Sequence, residues 1–106
     1  MNGPLVEVLS LEGCPHAEPA LDLVRRVIAE SGIGATVRRV DVRDAEAATT
    51  ERFLGSPTIR VNGRDIEPGV ADCDQYVLSC RIYRTDAGIK GEPDERWLRE
   101  ALSASA

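Results

Sequence analysis

Apolar residues crowd into Leu5-Val6-Glu7-Val8-Leu9-Ser10-Leu11, which is too short for a helix and is followed at once by the breaker Gly13. This predicts a buried first strand. Ala17, Ala20, Leu21, Val24, Val27 and Ile28 then recur at the spacing of one helical face until Ser31-Gly32, predicting a helix of three to four turns. Ala35 to Val42 is rich in β-branched residues, with Val40 and Val42 on one side and Arg39 on the other, the pattern of a second strand. Asp44 can cap a short amphipathic helix over Ala45–Phe53 that ends at Leu54-Gly55. Thr58-Ile59-Arg60-Val61 and Arg64-Asp65-Ile66 flank Asn62-Gly63, a strong hairpin signal.

Glu67 to Glu92 follows no simple period and reads as an insert. Pro68-Gly69 opens a loop, and Tyr76 to Arg84 is strand-like, with Tyr76, Leu78, Cys80 and Ile82 on one face expected to be buried. Ala87-Gly88 to Gly91 reads as loop again. Asp94 to Ala104 clusters Trp97, Leu98, Ala101 and Leu102 on one helical face, with Pro93 suited to the first turn, and residues 103–106 form a tail expected to fray. The order is β-α-β-α-β-β-insert-α, an α/β fold in one domain over residues 1–106, with 67–92 as the insert.

The chain has 106 residues, 42% apolar and 29% charged, enough for one domain with one core. Its net charge of −5 provides no basic surface, so neither nucleic acid nor an anionic membrane is expected as a partner. No apolar run approaches the roughly 20 residues that span a bilayer, and the N-terminus lacks the pattern of a signal peptide. A cytoplasmic location is therefore expected. Three cysteines are too few for a stapled secreted scaffold, and their odd number leaves a free thiol in each monomer. Redox or metal chemistry stays open, no cofactor is expected, and the oligomeric state is undetermined.

Gly13-Cys14-Pro15-His16-Ala17 places a cysteine between the first strand and the first helix, and Gly55-Ser56-Pro57-Thr58 opens the hairpin. On these two features and the element order, the chain resembles the thioredoxin-like superfamily, as a monothiol Cys-Pro variant. The resemblance implies a three-layer sandwich, a reactive thiol at Cys14 and a cis-proline loop at Pro57 beside it. Cys14-Pro15 with Ser79-Cys80-Arg81-Ile82-Tyr83 also looks like small bacterial thioredoxin-like proteins labelled alkylmercury lyase-related. The sequence departs from that superfamily in three places. Ala17 stands where a Cys-x-x-Cys pair would have its second thiol, Val8 stands where thioredoxins keep a buried carboxylate, and Pro19 bars a helix that starts at Cys14.

A helix N-terminus favours thiolate over thiol, which makes Cys14 the candidate nucleophile; the alternative is an inert small residue closing a turn. His16 can add positive charge or accept the thiol proton, or it is simply a solvated turn residue. A cis Ser56-Pro57 bond would expose the N–H and C=O of Ser56 to a ligand pairing as an added strand; a trans bond would merely start an edge strand. Cys80 reads as core packing or as a resolving thiol. Cys73, between Asp72 and Asp74, is a poor nucleophile that can be attacked or oxidised, and so is a second candidate to resolve a disulfide. The three sulfurs can alternatively share a soft metal. Arg81, Arg84 and Lys90 either receive an acidic ligand such as glutathione or are solvated.

These readings together suggest a thiol-disulfide oxidoreductase acting on a protein or glutathione thiol or disulfide. Cys14, His16, Cys80 and Cys73 carry its chemistry, and Pro15, Ser56, Pro57 and Thr58 face its substrate. The alternatives are a domain binding mercury or zinc through thiolates, and a non-catalytic interaction module.

Overall fold

The structure, a computed structural model, describes Gly3 to Ser105. Its elements are β1 (Leu5–Ser10), α1 (Ala17–Ser31), β2 (Thr36–Asp41), α2 (Ala45–Thr50), β3 (Thr58–Val61), β4 (Arg64–Asp65), β5 (Tyr83–Thr85), β6 (Gly88–Lys90) and α3 (Glu95–Ser105). Four strands form a mixed sheet in the order β2-β1-β3-β4, and β5 and β6 form a separate hairpin. β1 runs parallel to β2, with Leu9 opposite Val40, and antiparallel to β3, with Val8 opposite Ile59.

β1 reads as an almost unbroken apolar run because it is covered on both faces. Its alternating side chains feed two cores. Val6 and Val8 join Ala20, Leu21, Val24 and Val27 of α1, Ile59 and Val61 of β3, and Leu98 and Leu102 of α3. Leu9 turns the other way, to Val42, Ala48 and Phe53. Helices α1 and α3 therefore lie on one face and α2 on the other. The helical stripe of α1 and the Leu98/Leu102 stripe of α3 meet in the first core, with Trp97 and Ile28 half-buried at its margin.

Helix α1 starts at Ala17, as expected, and Pro19 sits in the first turn, where its missing N–H needs no intrahelical partner. Other boundaries differ from the expected ones, each for a local reason. Helix α2 stops at Thr50 instead of Phe53. Arg52 takes a left-handed conformation (φ 56°) that lets Phe53 leave the helix and enter the second core, and Arg60 closes this exit by donating to the carbonyls of Glu51 and Arg52. Pro93 precedes α3 and is buried, while Asp94 accepts the Arg96 N–H at 2.9 Å as its cap. Helix α3 runs on to Ser105 through the expected tail; Ala106 lies outside the described residues.

The insert departs furthest from expectation. Its regular part is the short β5–β6 hairpin, and β6 occupies the stretch read as loop. The face read as buried is turned outward: Leu78 and Cys80 are exposed and Ile82 is 71% exposed, whereas Arg81 and Tyr83 are buried. Polar-tipped side chains point inward because partners there satisfy them. Among the described residues, no helix is long and apolar enough to cross a membrane.

The packing of α1 gives a direct test. Leu21→Ala removes a fully buried side chain between sheet and helices and should lower the unfolding free energy by about 2–5 kcal/mol in urea titration. Ile89→Ala, on a side chain 72% exposed, should change it by less than about 0.5 kcal/mol.

Candidate functional site

The first strand delivers Cys14 to a tight turn. Gly13 reverses the chain with φ 78°, the Cys14 N–H donates to the Leu11 carbonyl at 3.2 Å, and the Cys14 carbonyl accepts the Ala17 N–H at 3.2 Å. Cys14 is half-buried and Pro15 is exposed. Because the helix opens only at Ala17, with His16 at its N-cap, Cys14 lies outside the first turn, where the dipole acts most strongly. Cys14 thus belongs to the turn before the helix, which weakens the helix-dipole argument for its thiolate.

His16 is neither free nor fully solvated. Its Nδ1 pairs with Glu92 Oε2, at the far end of the insert. Gly91 lies against the imidazole so closely that a Cβ there would come within 2.5 Å of three ring atoms. A side chain at this position would push the ring aside. The His16–Glu92 pair therefore ties the end of the insert to the start of α1.

The Ser56-Pro57 peptide bond is cis. Ser56 Oγ accepts the Leu11 N–H at 3.0 Å, and Leu11 also anchors the Cys14 turn, so the proline loop and the thiol turn hang from one residue. Thr58 Oγ1 donates to the Gly55 carbonyl at 2.6 Å, and Ser56 and Thr58 are fully buried. The expectation that Ser56 offers an open edge is overturned. Its N–H donates to the Ser79 carbonyl at 2.8 Å, and its carbonyl accepts the Arg81 N–H at 2.9 Å. Ser56 and Cys80 form an isolated parallel bridge. The edge exists, and the chain's own insert fills it.

Arg81 fastens that contact. Its guanidinium donates to both Asp65 oxygens at 2.7 and 3.2 Å, to Glu67 at 2.7 Å and to Thr58 Oγ1 at 3.0 Å, and it lies 4.4 Å from the centre of the Tyr83 ring. Burial opposes its charge, but the hydrogen bond and charge of Asp65 outweigh that cost together with Glu67, and hold Arg81 above its ordinary pKa. Gly55, at φ 125°, is needed here as well, since a Cβ would meet the Arg81 Cβ at 2.8 Å. Arg81 is therefore unavailable to an acidic ligand; Arg84 and Lys90 remain exposed. Tyr83 donates to the Pro57 carbonyl at 2.6 Å, and burial raises its phenol pKa well above the usual value, with Arg81 offsetting part of the rise.

The three thiols are free and differently placed. Cys80 is exposed on the segment bonded to Ser56, not packed in a core. Cys73 is exposed and lines a cleft of about 650 Å³ beside β4, with Tyr76, Val70 and Trp97; neither Cys14 nor Cys80 lines that cleft. Among the described residues, no group of three or more His, Cys, Asp or Glu side chains is arranged to hold a metal ion. The sequence reading missed Glu92, Gly91, Asp65 and Glu67, whose partners lie 14 to 76 positions away. For Asp65 and Glu67 the local signal was Arg81 within an apolar stretch, which implies carboxylates elsewhere. Comparison of the chain with family models and with curated proteins finds no match.

Tyr83 gives this site a pH signature. Its folded-state pKa is raised, so its contribution to stability is full below pH 10, where the unfolded phenol is also protonated, and falls as pH climbs above 10. The unfolding free energy should drop above pH 10 by up to about 1.4 kcal/mol per pH unit from this group. Urea titrations of Tyr83→Phe should show a shallower alkaline decline and, near neutral pH, a loss of about 1–3 kcal/mol from the unpaired Pro57 carbonyl.

Proposed function

We propose that this chain is a thioredoxin-like thiol-disulfide oxidoreductase with Cys14 as nucleophile. One observation carries the reading: the Leu11 N–H bonds Ser56 Oγ and so ties the turn that holds Cys14 to the cis Ser56-Pro57 loop. A half-buried thiol is thereby coupled to a strand edge, which Ser79 and Arg81 occupy in this structure. The β2-β1-β3-β4 order, with helices on both faces, supports the family resemblance. Three unpaired thiols suit a reducing compartment such as the cytoplasm.

In this mechanism the Cys14 thiolate attacks one sulfur of the substrate disulfide. The Cys14–substrate bond forms as the substrate's own S–S bond breaks, and the departing thiolate takes up the proton Cys14 released. Cys80 is the resolving thiol. As thiolate it attacks the Cys14 sulfur and forms a Cys14–Cys80 disulfide, and the second substrate thiolate leaves and takes the proton Cys80 gave up. Two equivalents of a small external thiol, such as glutathione, then restore both cysteines: the first bonds one cysteine as the Cys14–Cys80 bond breaks, and the second attacks that mixed disulfide, freeing the cysteine as the external disulfide leaves. His16, held by Glu92, fixes the entry to α1 beside the reacting turn. Pro15 is exposed next to the sulfur, while Pro57 and Thr58 are buried and hold the proline loop in place. Cys73, set in a separate cleft, stands outside the cycle.

Turnover of a small disulfide tests this reading. Cys14→Ser should lose at least about a hundredfold in rate. Cys80→Ser should accumulate a mixed disulfide on Cys14, detected as added mass on the Cys14 peptide. If Cys14→Ser turns over as fast as the natural chain, the assignment is wrong. Stoichiometric uptake of mercury or zinc by Cys14 and Cys80 without turnover would favour the metal-binding alternative, and neither activity would leave an interaction module.

A further inference from the structure

The edge that an incoming strand would use is bound by the chain itself. Both main-chain groups of Ser56 are spent on the insert: the N–H on the Ser79 carbonyl and the carbonyl on the Arg81 N–H. The register sets Cys80 opposite Ser56. A cysteine in an extended segment, paired beside a cis-proline loop, is what a peptide substrate would present there.

The contact is fastened chiefly by side chains. Arg81 is anchored by Asp65, Glu67 and Thr58, and Tyr83 donates to the Pro57 carbonyl. Along the backbone the Ser56–Cys80 pairing is an isolated bridge outside any named strand, with one further main-chain bond upstream, from the Val77 N–H to the Phe53 carbonyl at 3.0 Å. Leu78, Cys80 and Ile82 face outward with their apolar surface uncovered. Main-chain hydrogen bonds are sequence-independent, so any extended chain offering a carbonyl and an N–H in this register can replace Ser79 and Arg81 at Ser56.

We propose that the Ser79–Arg81 segment is a built-in occupant of the docking edge, displaced by an extended cysteine-bearing peptide that pairs with Ser56 in its place. The inference rests on the thiol-disulfide reading of Cys14. The partner it specifies is an unfolded or strand-like protein segment with a reactive cysteine. Small disulfides carry no main chain with which to compete, so they reach Cys14 with the segment in place. When the reacted peptide leaves the edge, the returning segment brings Cys80 back toward the Cys14 turn.

The test uses the full chain carrying Cys73→Ser and Cys80→Ser, which replaces two exposed thiols and leaves Cys14 alone. It is joined at Cys14 either to cysteamine or to a decapeptide of alternating Val and Thr around one cysteine, each supplied as the pyridyl disulfide, so that Cys14 bonds the probe sulfur and thiopyridone leaves. Exchange of the Ser56 and Arg81 main-chain N–H groups is followed by NMR. The peptide adduct should speed exchange at Arg81 by at least about tenfold while Ser56 stays protected by its new partner. The cysteamine adduct should leave both protected. A peptide adduct with Arg81 still protected overturns the displacement while Cys14 chemistry stands. Equal loss of protection in both adducts also overturns it, as local disruption. Failure of the peptide alone to join Cys14 overturns the displacement while Cys14 chemistry stands, and failure of the cysteamine probe overturns both readings together.

Discussion

The buried guanidinium of Arg81 is the constraint on which the site depends. It enters the interior because Asp65 at the end of β4, Glu67 just beyond it and the Thr58 hydroxyl supply acceptors there, and the Tyr83 ring lies against it. Buried ion pairs add little net stability against an apolar substitute, but removing one partner typically costs about 3–5 kcal/mol. What the arrangement supplies is specificity: one residue of a loosely structured insert can occupy only one place. Once Arg81 is seated, its N–H reaches Ser56, and Tyr83 follows inward to the Pro57 carbonyl.

The other end of the insert is fixed by a smaller contact of the same kind. Glu92 reaches back to His16, and Gly91 lets the backbone lie against the imidazole. The insert is therefore held at both sides of the cysteine turn, at the proline loop by Arg81 and at the helix entry by His16. Between these two points lies the largely exposed β5–β6 hairpin, tied to the domain through Tyr83 and the Pro57 carbonyl.

The thiol turn owes its position to the central strand. β1 is covered on both faces and paired on both edges, so the residues that follow it start from a fixed frame. Leu11 extends that frame, packing against the second core while its main chain serves both Cys14 and Ser56. Chemistry set at the end of such a strand inherits its rigidity and leaves mobility to the loops.

The sequence by itself determined the elements whose pattern is local. The stripe from Ala17 to Ile28, the β-branched run of β1, the Asp44 cap and the Asn62-Gly63 hairpin are legible because periodicity, capping and turn chemistry act within a few residues. The turn cysteine and the proline loop were legible through the resemblance they carry and not through any local period. Only the tertiary structure decided which way the insert faces. The stripe of Leu78, Cys80 and Ile82 argued for burial, but Arg81 and Tyr83 went inward because Asp65, Glu67 and the Pro57 carbonyl were waiting in another part of the chain. Burial of a charge depends on partners distant in sequence, and no local period encodes them. The same holds for Ser56, whose edge looked open until a segment more than twenty residues onward, by the numbering, came to lie on it.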